Sequence, residues 1–197
     1  MLKFQYNKTA QQQLVKELGI REKALPTLQA KESALRNEVK SVKQAIKEAN
    51  DKLQFRLDRL AEMNKFWVEF PDLLSIAEVK IGEKSIAGVK TPYLKEILFD
   101  YLPYSMHGSP NWFSAGVDIL KALIELRLQL KFLQKKHDML DYARKKTTQK
   151  VNLYEKVQIP EYSEAIIKIK RYLEDEENLA KSSQKILKAK IERESAA

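Results

Sequence analysis

Two long stretches of this sequence repeat apolar residues at alternating steps of four and three, and this spacing limits what the chain can fold into. In the first stretch, ten of twelve stepped positions are apolar. The positions are Leu14, Leu18, Arg21, Leu25, Leu28, Glu32, Leu35, Val39, Val42, Ile46, Ala49 and Leu53. A period of 3.5 residues held over this length predicts a coiled coil, because only that spacing keeps one stripe of an α-helix facing a partner helix.

The second stretch shows the same period in the carboxyl-terminal half. Eight of its eleven stepped positions are apolar. The positions are Ile119, Leu123, Leu126, Leu130, Leu133, His137, Leu140, Arg144, Thr147, Val151 and Tyr154. The stripe resumes beyond Pro160 at Tyr162, Ile166, Ile169, Leu173, Ala180 and Leu187. Ser109 followed by Pro110 predicts the start of this helical arm, since Ser favours the N-cap and Pro the first helical position.

Between the two arms lies a segment of different composition. Four of the five glycines and four of the six prolines fall within residues 71–116. Alternating residues before and after the sequence GEKS (82–85) predict a β-hairpin with a four-residue loop. Its apolar residues Val79, Ile81, Ile86 and Val89 are candidates for contacts of this central lobe. The predicted domains are an amino-terminal arm (1–70), a hairpin and aromatic-rich lobe (71–114) and a carboxyl-terminal arm (115–197).

The predicted fold class is mainly α. The two arms pair with each other in a long antiparallel two-helix coiled coil, joined by the central β-hairpin and a small irregular or helical lobe. The alternative is pairing between two chains, which gives a dimer of long helices, and the heptad pattern alone does not separate these arrangements.

Composition excludes several classes of protein. The chain has no cysteine, which excludes disulfide scaffolds and thiolate metal sites. No run approaches 18 apolar residues, and the amino terminus lacks the apolar core of a secretory signal. The net charge is +9, but both signs alternate along the arms, as on a solvated helix surface. A basic coiled coil that binds nucleic acid remains an alternative, as does a generic coiled-coil scaffold.

No group of residues has the spacing of a catalytic, cofactor or metal site. The sequence GEKSIAGVKT (82–91) resembles a phosphate-binding loop only superficially, because five residues separate its glycines and Val89 stands before Lys90. His107 and His137 lie far apart and lack neighbouring ligand patterns. The sequence therefore predicts a protein that acts through contacts, without cofactors or enzymatic activity of its own.

Two groups of polar residues are candidates for such contacts. Arg144 and Thr147 occupy positions in the apolar stripe, so they either fix the register of the coiled coil or relieve packing before Pro160. Near the carboxyl terminus, Lys181, Lys185 and Lys188 form a basic end together with apolar residues. This end is either a solvated helix face or a positive tip that meets an acidic collar on a partner.

Several segments resemble the D subunit of V-type and archaeal-type rotary ATPases. The family shows a basic residue, a Thr, a Val-Asn-Leu/Ala-x-Glu element and Ile-Pro, which here are Arg144, Thr147, the run 151–155 and Ile159-Pro160. NKTAQQQLVKEL (7–18) is similar to the first helix of the family, and EVKIGEKSIAGVKTP (78–92) to its central hairpin. The acidic segment EDEENLAKSSQKILK (174–188) is closest to the bacterial form.

This resemblance implies a central rotor shaft that transmits torque between a catalytic hexamer and a membrane rotor ring. The implied partners are catalytic and non-catalytic hexamer subunits, a small companion subunit of the central stalk and a socket subunit above the ring. The implied location is cytoplasmic, with the membrane reached only through partners, and the chain itself binds neither nucleotide nor nucleic acid. Arg144, Thr147, Gln149 and Asn152 are then expected to set register or to face the hexamer.

Overall fold

Long helices form most of the chain, as the heptad spacing predicts. The computed structural model describes residues 4–61, 64–103 and 108–195. Helix α1 spans Lys8–Ala61 and helix α2 spans Asn64–Val68. Helix α3 spans Trp112–Leu153, a π-helical turn spans Tyr154–Gln158, and helix α4 spans Ile159–Ser195. Part of the aromatic-rich segment, residues 104–107 with His107, lies outside the described residues.

The helix ends follow local hydrogen bonding. The Asn7 side chain caps α1, since its Oδ1 accepts a bond of 2.6 Å from the amide of Ala10. The helix continues through Pro26 without a break. The predicted start of the second arm at Ser109-Pro110 is two residues early: α3 begins at Trp112, and the amide of Phe113 donates to the carbonyl of Pro110.

The central hairpin is present, but its turn differs from the prediction. Strands β1 (Leu74–Ile86) and β2 (Val89–Tyr101) pair antiparallel around a two-residue turn, Ala87-Gly88, in which φ is 48° and 78°. Positive φ at both positions is typical of a type I′ turn, whose twist matches that of the strands. The predicted GEKS loop is therefore wrong, because these four residues lie within β1. Gly82 is needed for another reason: a Cβ there would overlap the Tyr93 ring.

The chain forms two compact units. The terminal unit comprises the described residues of Met1–Ala30 and Thr147–Ala197, and the central unit is Lys31–Lys146. In the terminal unit, α1 and α4 pack around Leu14, Ala165 and Ile169, with four partly buried apolar neighbours. These neighbours are Phe4, Tyr162, Ile166 and Leu173. The helices run antiparallel, because Leu14 packs near Ile169 whereas the later Arg21 contacts the earlier Gln158.

The described residues of the central unit form two apolar clusters. The larger is built on Leu35, Val42 and Leu140, and it includes six partly buried residues. These are Val39, Ile46, Ile86, Val89, Leu133 and Ala143, so the tip of the hairpin packs on the α1–α3 pair. The smaller cluster is built on Leu73, Phe113 and Val117. The two clusters and the helix pairs confirm the predicted mainly helical fold with a central antiparallel hairpin.

Candidate partner-binding surfaces

In the terminal unit, the end of α4 lies beyond the residues that pack against α1. Leu173 is the last residue of α4 in the packed cluster, and every residue from Glu174 to Glu194 is exposed. Large apolar side chains in this segment are open to solvent, including Leu179 (69% exposed) and Ile186 (70% exposed). Leu187 and Ile191 are also exposed. The prediction that the packed stripe extends to Ala180 and Leu187 is therefore wrong within the described residues, because the packing against α1 ends at Leu173. A row of large apolar residues on a charged helix is typical of a surface that a partner covers.

The three lysines singled out from the sequence lie on this exposed end of α4. Lys181, Lys185 and Lys188 are all exposed. The Nζ of Lys181 lies 2.7 Å from the Oε1 of Glu177, and this hydrogen bond holds the pKa of the Glu177 carboxyl below its ordinary value. The arrangement combines apolar side chains with positive charge on long side chains, so it suits a protein surface of mixed apolar and acidic character.

The four polar residues expected near the stripe have different surroundings. Thr147 is buried, with 9% of its surface exposed, whereas Gln149 and Asn152 are exposed. Arg144 is partly buried, and its Nε and Nη2 donate to Asp141 Oδ1 on the same helix. Hydrogen bonds from Lys145 and from Arg144 hold the pKa of Asp141 below its ordinary value. Thr147 is therefore buried within the protein, whereas Gln149 and Asn152 are exposed and could contact a partner.

A polar contact that the sequence pattern did not reveal lies at the π-helical turn. Arg21 occupies one of the two non-apolar positions of the first stripe, and its Nε donates to Gln158 Oε1 at 2.9 Å. Its Nη1 donates to the carbonyl of Glu17 and to the Glu17 carboxylate. The guanidinium lies 4.4 Å from the centroid of the Tyr162 ring. The hydrogen bond with Glu17 raises the pKa of Arg21 above its ordinary value.

The π-helical turn explains how the second arm accommodates Pro160. The amide of Ile159 donates to the carbonyl of Tyr154, five residues earlier, instead of to the residue four earlier. In an α-helix, the ring of Pro160 would clash with the carbonyl of Lys156, and that carbonyl would have no amide donor. The π-helical turn just before Pro160 already departs from α-helical hydrogen bonding, so the second arm continues through the proline.

The four apolar candidates of the hairpin also separate into two groups. Ile86 and Val89 pack against the larger cluster of the central unit, and Val79 is half-buried. Ile81 is 58% exposed. Beside it, Lys80 and Glu96 form an exposed ion pair at 2.8 Å. Ile81 is therefore the candidate that remains open to a partner, whereas Ile86 and Val89 attach the hairpin to the helices.

Across the described ranges, no helix is long and apolar enough to cross a membrane. The same residues contain no group of three or more His, Asp or Glu side chains placed to hold a metal ion.

Comparisons with known proteins identify relatives over most of the chain. The family of the ATP synthase D subunit matches residues 10–189. The D subunit of a V-type ATP synthase from Borreliella burgdorferi is 31% identical over 178 residues, which are 89% of this chain and 88% of that protein. A protein of the same description from Chlamydia muridarum is 29% identical, over 85% of this chain and 86% of that protein. Another from Chlamydia trachomatis is 28% identical, over 93% and 92%. These relatives confirm the resemblance that the motifs indicate.

Proposed function

Because the chain belongs to the family of the ATP synthase D subunit, we propose that it is the central rotor shaft of a V-type ATP synthase. The shaft transmits torque between a hexamer, which makes or hydrolyses ATP, and a rotor ring that moves ions across the membrane. Catalytic and non-catalytic subunits bind the nucleotide, and the shaft itself carries out no chemistry. The chain reaches the cytoplasmic face of the membrane through its partners.

The observation that carries this proposal is the exposed end of α4. Its apolar side chains, among them Leu179 and Ile186, are not covered by any of the described residues of the terminal unit. Burial of one such side chain contributes about 1.5–3 kcal/mol. A cavity in the hexamer that receives this end of α4 buries these side chains. The exposed lysines 181, 185 and 188 then meet an acidic collar, each contributing about 1 kcal/mol or less, so that the contact does not hold one angle too tightly.

The other exposed surfaces of the chain face the rest of the complex. Exposed Gln149 and Asn152 face the lower rim of the hexamer, and buried Thr147 and the Arg144–Asp141 pair maintain the helix beneath them. The central lobe, residues 71–114, presents Ile81 to the small companion subunit or to the socket subunit above the ring. The helix pairs supply the stiffness that torque requires, since their apolar side chains interlock.

The test measures binding of the purified chain to a hexamer assembled from catalytic and non-catalytic subunits. Ile186→Asp is the test variant, and Ile167→Asp is the matched control, because Ile167 is an exposed isoleucine of α4 outside the carboxyl-terminal segment. We expect Ile186→Asp to weaken binding about tenfold or more, and Ile167→Asp to have little effect. Helicity measured by circular dichroism should match between the two variants.

Two outcomes contradict the shaft assignment. Equal losses from both isoleucine substitutions would mean that the end of α4 has no special role in the complex. Failure of the unmodified chain to bind the hexamer, together with capture of nucleic acid from the cell, would favour the nucleic-acid-binding alternative.

A further inference from the structure

The apolar stripe of the second arm changes phase by one residue near Pro160. Continuing the heptad steps from Tyr154 predicts core positions at 158, 161, 165, 168 and 172. Ala165 is buried as this pattern predicts, but Ile169 is completely buried and Leu173 is half-buried, whereas Lys168 and Tyr172 are exposed. Together with Tyr162 and Ile166, these residues centre the stripe one residue later than a continuous heptad pattern places it.

The π-helical turn accounts for this one-residue shift. Its five-residue hydrogen bond from Ile159 to Tyr154 adds one residue to a turn of the helix. Without it, every following side chain would rotate by about 100° around the helix axis, the angle between successive residues of an α-helix. Lys168 would then replace Ile169 on the face toward α1.

Arg21 contacts both sides of this phase change. Gln158 is the last residue of the π-helical turn, and Tyr162 is the first residue of the shifted stripe. Arg21 donates to the Gln158 side chain and also covers the Tyr162 ring. A one-residue rotation of α4 would remove Tyr162 from the guanidinium, so the complete set of contacts is specific to one phase.

We propose that Arg21, Gln158 and the π-helical turn form a register lock, which fixes the rotational phase of α4 against α1 in the terminal unit. A charged residue in an apolar stripe generally lowers stability but favours the one alignment in which its hydrogen bonds form. Arg21 is thus a positioning residue, which acts through the orientation of α4. Its substitution by an apolar residue preserves the helix pair and weakens the preference between the two phases, because the burial of Ile169 still favours the observed one.

The consequence for torque rests on the proposed shaft function. The exposed apolar side chains of α4 follow the lock along the same helix, so the phase set at Gln158 determines the direction in which Ile186 points. Loss of the lock changes that direction by about 100° in part of the molecules. ATP hydrolysis would then continue with less ion movement for each ATP consumed.

The absence of cysteine allows a direct test on the full chain. The pair Leu14→Cys and Ile169→Cys reports the observed phase, and the pair Leu14→Cys and Lys168→Cys reports the phase without the extra residue. Disulfide formation under a mild oxidant requires the two Cβ atoms to lie about 4 Å apart. With Arg21 present, we expect the first pair to form its disulfide about tenfold faster or more than the second.

Substitutions in the lock should change this preference. Arg21→Leu and Gln158→Leu should bring the two rates to within about threefold of each other. Gln158→Glu should retain the preference, because a carboxylate still accepts the bond from Arg21. Arg36→Leu is the matched control: Arg36 also pairs with a glutamate four residues earlier on α1, Glu32, and its side chain is 66% exposed. This control should leave the preference unchanged.

The outcomes separate the lock from the shaft. An unchanged preference in Arg21→Leu, with helicity preserved, would overturn the lock. If the preference is lost but the ratio of ions moved to ATP hydrolysed stays normal in the assembled complex, the lock stands and its role in torque is overturned. Failure of the unmodified chain to assemble with the hexamer would overturn the shaft function, while the cross-linking result would still decide the lock.

Discussion

The two units of this protein pair the same helix, α1, with a second helix in different ways. In the central unit, the contact is built on Leu35, Val42 and Leu140, and the tip of the hairpin adds apolar cover. In the terminal unit, the apolar cluster is smaller, and Arg21 joins Gln158 and Tyr162 beside it. The central unit also has a polar contact between its helices, from Lys136 Nζ to Glu38 Oε1 at 2.8 Å. The two units therefore differ in the size of the apolar cluster and in the position of the polar contact, which in the terminal unit lies at the π-helical turn.

The units also differ in what they leave uncovered. The central unit covers the tip of its hairpin with its own helices, through Ile86 and Val89. The terminal unit leaves the whole segment of α4 from Glu174 to Glu194 exposed, with Leu179 and Ile186 in it. The central unit also leaves apolar side chains exposed, such as Ile81, but these lie away from the hairpin tip that its helices cover.

The largest expected effect tests which unit contributes more to the free energy of unfolding. Leu140 and Ile169 are both completely buried, but the cluster of Leu140 has six partly buried apolar neighbours and that of Ile169 has four. We expect Leu140→Ala to lower the free energy of unfolding by about 3–4 kcal/mol and Ile169→Ala by about 2 kcal/mol, because the larger cluster loses more contacts around the cavity. Urea denaturation followed by circular dichroism measures both values.

Met139→Ala provides the control for this comparison, since Met139 precedes Leu140 on α3 and is 36% exposed. Its cost should stay below about 1 kcal/mol. A greater loss from Ile169→Ala than from Leu140→Ala would reverse the assignment of stability to the central unit.

The same glycine substitution should have opposite effects in the two units. A Cβ on Gly116, in the central unit, would lie 2.6 Å from Cε2 of Phe70, so Gly116→Ala should cost about 1–3 kcal/mol. A Cβ on Gly19, in the terminal unit, would meet no atom within 4 Å, and Gly19→Ala should stabilise helix α1 by about 0.5–1 kcal/mol. Thermal unfolding measures both changes.

Tryptophan fluorescence identifies the cause of the Gly116→Ala effect. The chain has two tryptophans, and the rings of Trp67 and Trp112 both pack against Phe70. Displacement of Phe70 should therefore change the emission, and Gly19→Ala should leave it unchanged. A destabilised Gly116→Ala variant with unaltered emission would contradict the overpacking explanation.

The comparison also shows which features a sequence can predict. The heptad spacing places Leu14, Leu35, Leu140 and Ile169 in the apolar stripe, and all four are buried, because burial repeats with the helical period. The same spacing does not predict the π-helical turn, since its signal is a shift of a single residue in that stripe. The partner of Arg21 lies 137 residues away along the chain, and no local pattern indicates such a contact.

The hairpin shows the same limit at short range. Alternation of apolar residues indicates its presence, but glycine is common in turns, so composition assigns Gly82 to the turn. The structure uses Gly82 to make room for Tyr93 and places Ala87 in the left-handed region at the real turn. Local composition does not distinguish these two roles, because packing against a side chain from the opposite strand decides between them.

The smallest expected effect comes from removing a polar contact that lies within one helix, the ion pairs of Asp141 on α3. The hydrogen bonds from Lys145 and Arg144 lower the pKa of Asp141 in the folded chain. These ion pairs therefore stabilise the folded state at a pH above 3.8, the ordinary pKa of the group, and this stabilisation is lost as the pH falls through the lowered pKa. Asp141→Asn should therefore cost about 0.3–0.5 kcal/mol at neutral pH and nothing in strong acid. Urea denaturation at a series of pH values measures the difference.

Asp138→Asn is the control, because Asp138 lies one turn earlier on α3 and its side chain is 82% exposed. Its effect should be smaller than that of Asp141→Asn at neutral pH. Since the bonds of Asp141 stay within α3, Asp141→Asn should leave the disulfide preference between positions 169 and 168 intact, unlike Arg21→Leu. If Asp141→Asn also abolished that preference, alignment would depend on general helix stability and not on the contacts of Arg21.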